Sequence, residues 1–122
     1  MQPGKPVVGA SSAVALKERG MAIDLFCYTS TEPAEAERAL NIMSATNVAL
    51  FSKAFLISTA TPINPVQQEI ISDYGIGAKA CIFLVRVNDK SRAHLVPTVI
   101  ALLKSTAGLK DVEVLWENEE LL

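Results

Sequence analysis

The sequence predicts an α+β domain of the ferredoxin-like βαββαβ type, with an extra short helix between the second and third strands. Four strand-like runs alternate with helix-like runs along the 122 residues, which gives the order β-α-β-(α)-β-α-β. The run 81–87 is apolar at both odd and even positions. A strand with one wet face should alternate apolar and polar residues, so we expect both faces of this sheet to be covered.

An α/β doubly wound sheet of four parallel strands is the alternative architecture. It follows if the middle helix is a full crossover between parallel strands, whereas a short inserted helix leaves the antiparallel ferredoxin-like arrangement. The short middle helix favours the latter. The two cysteines distinguish the alternatives, because antiparallel pairing of the first and third strands brings Cys27 and Cys81 near the same end of the sheet.

The first half of the domain is expected to contain two strands joined by a helix. Residues 22–28 alternate two sets of apolar side chains and form the first strand. The helix then runs to about Ala45, with Thr31 as its N-cap and Pro33 in its first turn, where a missing N–H does no harm. Residues 48–58 form the second strand.

The middle helix has a recognisable start and end. Asn64 precedes Pro65 and is followed three residues later by Gln67, which is the pattern of a capping box. Gly75 can end this helix, and residues 80–87 form the third strand.

The last two elements are a helix over residues 97–107, closed by Gly108, and a fourth strand over residues 112–116. The inward-facing side chains of this strand are expected to be Val112, Val114 and Trp116. Residues 1–20 are turn-rich and then briefly helix-like, so we expect them to be an ancillary or non-native N-terminal extension. Residues 21–122 then form a single α/β-type domain.

Composition indicates a globular chain with more apolar surface than its own core is expected to bury. Half of the residues (50%) are hydrophobic and the mean hydropathy is +0.30. No apolar run approaches the roughly 18–20 residues that cross a bilayer, and no secretory signal is visible, so a cytoplasmic protein without membrane contact is expected. Large apolar patches are rare on monomers, which favours a homodimer or a protein partner.

Charge is distributed unevenly although the net charge is only −2. Residues 111–122 hold five of the 13 acids and none of the 11 bases. Without clustered bases to replace counterions, the chain is not expected to bind nucleic acid. The acidic end is either a solvated face or a surface for a basic partner, and its candidate binding residues are Glu113, Glu117, Glu119 and Glu120.

Residues that could carry chemistry are few. Cys27 lies close to the start of the first helix, where a thiol can become a nucleophile, but a buried core cysteine is the more typical interpretation. Arg92 and His94 form a weak candidate anion site. Cys27, Cys81 and His94 show no metal-ligand spacing, so neither a metal nor a cofactor is expected.

These observations favour a non-enzymatic protein-interaction module, most concretely a small bacterial inhibitor of the toxin-immunity type. The absence of a catalytic set weighs against an enzyme without excluding one. Two alternatives stay open: a dimeric domain that senses a small ligand, and a small enzyme that uses Cys27 as its nucleophile.

Overall fold

The structure, a computed structural model, describes residues 23–116 and 120–121. Within these residues one sheet contains the strands β1 (Ile23–Thr29), β2 (Phe55–Ile57), β3 (Thr61–Pro62), β4 (Cys81–Val87), β5 (Glu113–Trp116) and β6 (Glu120–Leu121). The helices are α1 (Pro33–Thr46), α2 (Val48–Phe51), α3 (Pro65–Ser72) and α4 (Val96–Ser105), and a 3-10 helix over Lys90–Leu95 precedes α4. The N-terminal extension expected over residues 1–20 lies outside the described residues.

The sheet has the strand order β2-β4-β1-β5-β6, with β3 also paired to β4, and every pairing is antiparallel. The chain is therefore an α+β protein, and the parallel doubly wound alternative is wrong. In the register of β1 and β4, Cys27 lies opposite Phe83 and Thr29 lies opposite Cys81. The two cysteines are thus near the same end of the sheet, as the antiparallel arrangement requires.

One face of the sheet, the first face, is sealed by α1 and α4. Side chains from alternate positions of β1, β4 and β5 meet the apolar stripes of the two helices in one cluster of buried residues. Its fully buried members include Leu25, Phe83, Val99, Leu103 and Val114. The three side chains expected to face inward at the fourth strand, Val112, Val114 and Trp116, all belong to this core.

The opposite face, the second face, carries a smaller cluster. Ile71 from α3 and Ile76 from the loop after it pack on Tyr28, Ile82 and Leu115 of the sheet. Helices therefore lie on both sides of the sheet, which explains why β4 is apolar on both faces. Within residues 23–116, the expectation of a covered second face holds where α3 lies.

The predicted second strand over residues 48–58 is wrong for its first half. Val48–Phe51 form a helical turn whose backbone N–H groups bond back to the carbonyl of Asn47, and only Phe55–Ile57 pair with β4. Leu50 and Phe51 reach the first-face core from this turn. The apolar run suits a strand and a half-exposed helical turn equally well, and the chain adopts the turn, from which Leu50 and Phe51 pack against the core.

Two helix starts differ in how they are capped. Thr31 is not the N-cap of α1: Glu32 takes that position without a side-chain bond, while Thr31 Oγ1 donates to the Gly108 carbonyl at 3.0 Å. The capping box of α3 is confirmed, because Asn64 Oδ1 accepts from Gln67 N at 2.8 Å and Gln67 Oε1 accepts from Asn64 N at 2.9 Å.

Gly108 occupies the turn after α4 with φ at +95°, a left-handed conformation that favours glycine. A Cβ at this position would come within 3.1 Å of the Ala39 Cβ on α1. The expectation that Gly108 closes the helix is wrong, because α4 ends at Ser105 with Thr106 as its C-cap and Gly108 lies in the turn that follows. Among the described residues, no helix has both the length and the apolar character needed to cross a bilayer.

Candidate functional site

The second face is covered at one end and open at the other. Tyr28 and Ile82, which lie opposite each other on β1 and β4, are buried under α3. Farther along the same face, Leu56, Arg86 and Asp24 are in register across β2, β4 and β1. Leu56 is 44% exposed, and the side chains of Arg86 and Asp24 are 53% and 23% exposed.

Between the covered and open rows lie Phe26 and Leu84, which are opposite each other and only half-buried. We call Asp24, Phe26, Leu56, Leu84 and Arg86 the open sheet face. Its centre is apolar and its outer row carries charge. Because the five side chains stand on β1, β2 and β4, hydrogen-bonded pairing of the strands fixes their spacing.

The opening exists because α3 is short and is held at one end of the sheet. Ile71 is its buried anchor. Gln68 secures the helix to the loop that follows: its Oε1 accepts from Lys79 N at 3.0 Å and its Nε2 donates to the Gly77 carbonyl at 3.1 Å. An eight-residue helix spans roughly 12 Å, about half the length of a seven-residue strand, so it cannot reach the outer row.

Asp24 and Arg86 form a two-point ion pair in the outer row. Arg86 Nε donates to Asp24 Oδ1 at 2.8 Å, and Nη2 donates to Oδ2 at 3.1 Å. The hydrogen bonds to Asp24 and the negative charge of Asp24 raise the pKa of Arg86, so the guanidinium keeps its charge at any physiological pH. Asp24 looks isolated in the first strand of the sequence, and only the β1–β4 register reveals its partner.

The predicted acidic surface is spread along β5 rather than gathered at one point. Glu113 lies opposite Tyr28, at the covered end, and is half-buried. Trp116 lies opposite Leu25, roughly 10 Å farther along the strand and next to the open end. Glu120 pairs with Trp116 in β6, while Glu117 and Glu119 lie outside the described residues.

Arg92 and His94 belong to the 3-10 helix over Lys90–Leu95, and both are exposed. Ala93 between them is buried in the first-face core, so this helix packs on the side of the sheet away from the open sheet face. Two exposed neighbours on a short helix make a shallow anion site at most. The structure does not join them to the acidic surface.

Cys27 is fully buried, and its Sγ lies 3.7 Å from the Leu25 carbonyl. Burial raises the pKa of Cys27, and burial together with the charge of Glu32 raises that of Cys81 to about 11. A thiol that is both neutral and out of contact with solvent is a poor nucleophile. These features favour the core role that the sequence analysis preferred.

Several exposed aliphatic side chains were not singled out by sequence reasoning: Ile42, Val48, Leu56, Val66 and Ile70. Leu56 alone among them stands on a strand, in the open row with Arg86 and Asp24. One feature of the sequence could have pointed to the open sheet face. Each of two apolar strands contains a charged residue, Asp24 in β1 and Arg86 in β4. Sequence alone could not show that these two charged residues lie opposite each other.

An antiparallel α+β domain that presents exposed aliphatic side chains on a paired sheet is typical of a protein-interaction module. Comparison with known proteins identifies the family. The family described as CDI System Immunity Component matches residues 21–120. The chain belongs to this family of immunity proteins, and the prediction of a toxin-immunity type of inhibitor is confirmed.

Individual relatives support the assignment of the chain to this family. Immunity protein CdiI-2 of Burkholderia pseudomallei (strain 1026b) is 37% identical over 99 residues, which cover 81% of this chain and 97% of that protein. Among solved structures, a chain of the CdiA-CT/CdiI toxin and immunity complex from Burkholderia pseudomallei aligns with a TM-score of 0.74 and 35% identity. That alignment covers 81% of this chain and 95% of the other.

Proposed function

We propose that this chain binds the CdiA-CT toxin domain of its own CDI system and thereby blocks the toxin. The observation that carries the proposal is family membership together with similarity to a chain from a toxin and immunity complex. The uneven surface supports it as well, since one sheet face is sealed by helices and the other presents side chains at its open end. Binding of this kind needs no cofactor and no catalytic group.

We further propose that the acidic end of the chain contacts a basic surface of the toxin, through Glu113, Glu117, Glu119 and Glu120. Residues 111–122 contain five acids and no base, which supports this assignment. Complementary charge increases the association rate and the specificity of a complex more than its affinity, and it is weakened by salt.

Other features of the chain are proposed with this function. The strand order β2-β4-β1-β5 with antiparallel neighbours supports a ferredoxin-like arrangement in which α3 is an insertion. The family match from residue 21 onward supports an ancillary role for residues 1–20. We also propose cytoplasmic residence, where the toxin would be met, and self-association in the absence of toxin.

A direct binding experiment tests the proposed function. The purified chain is mixed with the CdiA-CT domain of the same strain at about 50 and about 500 mM NaCl; calorimetry gives the stoichiometry and stopped-flow mixing gives the association rate. Growth of cells that express the toxin is compared with and without the chain. We expect a one-to-one complex, protection of cells that express the toxin, and slower association at high salt. Failure to form a complex at low salt would disprove the proposal.

A matched pair of variants tests the acidic surface. Glu117→Gln with Glu119→Gln removes two charges from the acidic end, whereas Glu32→Gln with Glu35→Gln removes two exposed charges at the start of α1. Only the first pair should slow association and reduce its dependence on salt. Equal effects of the two pairs would contradict a role for the acidic end.

A further inference from the structure

We propose that the toxin docks on the open sheet face and that the segment it places there is apolar at its centre and cationic at its rim. This inference rests on the proposed function and names the surface that would perform it. The surface consists of Asp24, Phe26, Leu56, Leu84 and Arg86, as defined above.

The open sheet face is preformed. Phe26 and Leu84 stand on the two central strands, which pair with each other along seven residues. Leu56 lies beside them on β2, held in register with Arg86. A partner therefore meets apolar side chains whose positions are already fixed, which limits the entropy that binding must remove.

Charge on this side of the molecule favours a basic partner. Of the cations in this layer, Arg86 is bonded to the Asp24 carboxylate and Lys79 Nζ donates to the Asp111 carbonyl at 2.5 Å. Within the described residues, Glu69 of α3, Asp73 directly after α3 and Glu113 of β5 make no ion pair. Together with Asp24 they set four acids against the two bases Arg86 and Lys79, so this side of the sheet is negative overall, with the unpaired acids toward the end that α3 covers.

β5 brings the chain to the open end of the sheet immediately before the acidic positions 117, 119 and 120 of the sequence. β5 runs antiparallel to β1, so Trp116 lies opposite Leu25, one residue from Asp24. The chain enters the acidic run directly after Trp116, at the end of the sheet that α3 leaves open. A single basic partner could therefore contact the open sheet face and the acidic end together.

A second copy of the chain fits this surface less well than a basic toxin does. A two-fold dimer brings the same patch against itself. The excess negative charge on this side of one copy would then face that of the other, and like charges across an interface oppose association. The toxin is therefore the expected occupant of the open sheet face, and self-association through this face is an outcome that the experiment below can detect.

The experiment compares Leu56→Arg with Ile42→Arg in binding to the CdiA-CT domain of the same strain. Both side chains are exposed aliphatic residues, but Ile42 lies on α1, which covers the first face. Leu56→Arg should weaken binding by about tenfold or more, because it places a cation and removes an apolar contact where a cationic rim would dock. Ile42→Arg should change affinity by less than about twofold.

A second variant tests the same surface in case Leu56→Arg prevents β2 from folding. Asp24→Arg combined with Arg86→Asp retains an intramolecular ion pair while exchanging the positions of the two charges, and it should also weaken binding. Thermal unfolding of each variant shows whether it is folded. If Leu56→Arg does not fold, toxin binding by the double variant with exchanged charges tests the inference instead.

The outcomes separate this inference from the proposed function. If the unmodified chain formed no complex with the CdiA-CT domain, both the proposed function and this inference would be disproved. A normal complex that tolerates Leu56→Arg and the exchanged pair, or that is weakened equally by Ile42→Arg, would overturn the open sheet face while leaving the immunity function intact. A dimer that Leu56→Arg converts to a monomer, with unchanged toxin binding, would assign the surface to self-association and overturn the inference.

Discussion

Asp24 and Arg86 face each other across β1 and β4 and are joined by two hydrogen bonds of 2.8 and 3.1 Å. They stand in strands whose other second-face positions are mainly apolar, at the end of the sheet that α3 does not cover. Two charges in an otherwise apolar strand pair are tolerated there because water reaches them. Their location therefore marks the exposed end of this sheet face, one row beyond the half-buried Phe26 and Leu84.

The Asp24–Arg86 pair should contribute little to stability. Its side chains are partly exposed, and exposed ion pairs are screened by salt and limited by side-chain entropy. In a double-mutant cycle with Asp24→Asn and Arg86→Gln, urea unfolding should give a small coupling that shrinks as salt is added. A large, salt-independent coupling would show that the pair is more deeply buried than its exposure indicates.

Thr29 should be among the most sensitive polar positions. It is fully buried, its Oγ1 donates to the Lys110 carbonyl at 2.6 Å, and the same oxygen accepts from Thr31 N at 3.2 Å. Thr29→Val leaves the Thr31 N–H without that acceptor, so the free energy of unfolding should fall by about 1–3 kcal/mol. Thr29→Ser keeps the hydroxyl and should cost clearly less; equal losses in the two variants would rule out the hydrogen bonds as the cause.

The capping box should stabilise the helix that covers the second face. Asn64→Ala removes the acceptor for Gln67 N and should lower the free energy of unfolding by about 1 kcal/mol. Asn64→Asp keeps the acceptor and adds a favourable charge at the helix N-terminus, so it should be neutral or slightly stabilising. Denaturant unfolding measures both, and a loss with Asn64→Asp equal to that with Asn64→Ala would contradict the capping role.

The cysteines should make the fold sensitive to alkaline pH. The pKa of Cys81 is raised from its ordinary value of 9.0 to about 11. Between these values the unfolded chain releases the proton and the folded chain keeps it, so the stability present below pH 9.0 should be lost as the pH approaches 11. Cys81→Ala should lose less stability over this interval than the unmodified chain does.

Alkylation provides a second measurement on the same thiols. At neutral pH both cysteines of the folded chain should resist iodoacetamide, because they are buried and protonated, and both should react once the chain is unfolded in urea. Rapid modification of Cys27 in the folded protein would contradict its assignment to the core.

Much of the fold could be predicted because it follows local rules. The two-sided apolar pattern of β4 indicated cover on both faces, and Asn64 with Gln67 marked the start of α3. Prediction failed at residues 48–51, where an apolar run suits either a strand or a helical turn that packs on the core with part of its side chains. It also failed at Thr31, whose hydroxyl donates to the distant Gly108 carbonyl instead of capping α1. Such choices depend on neighbours that are far away in the sequence.

The amino-acid sequence by itself determined the alternation of elements, the surplus of apolar residues, the acidic end and the preference for an interaction protein, since these depend only on composition and periodicity. Tertiary structure decided the antiparallel pairing, the side of the sheet on which α3 lies and the meeting of Asp24 with Arg86, which are 62 residues apart. The physical reason is register. A strand pattern specifies which side chains share a face, but only pairing with a partner strand determines which of them become neighbours and which remain exposed to solvent.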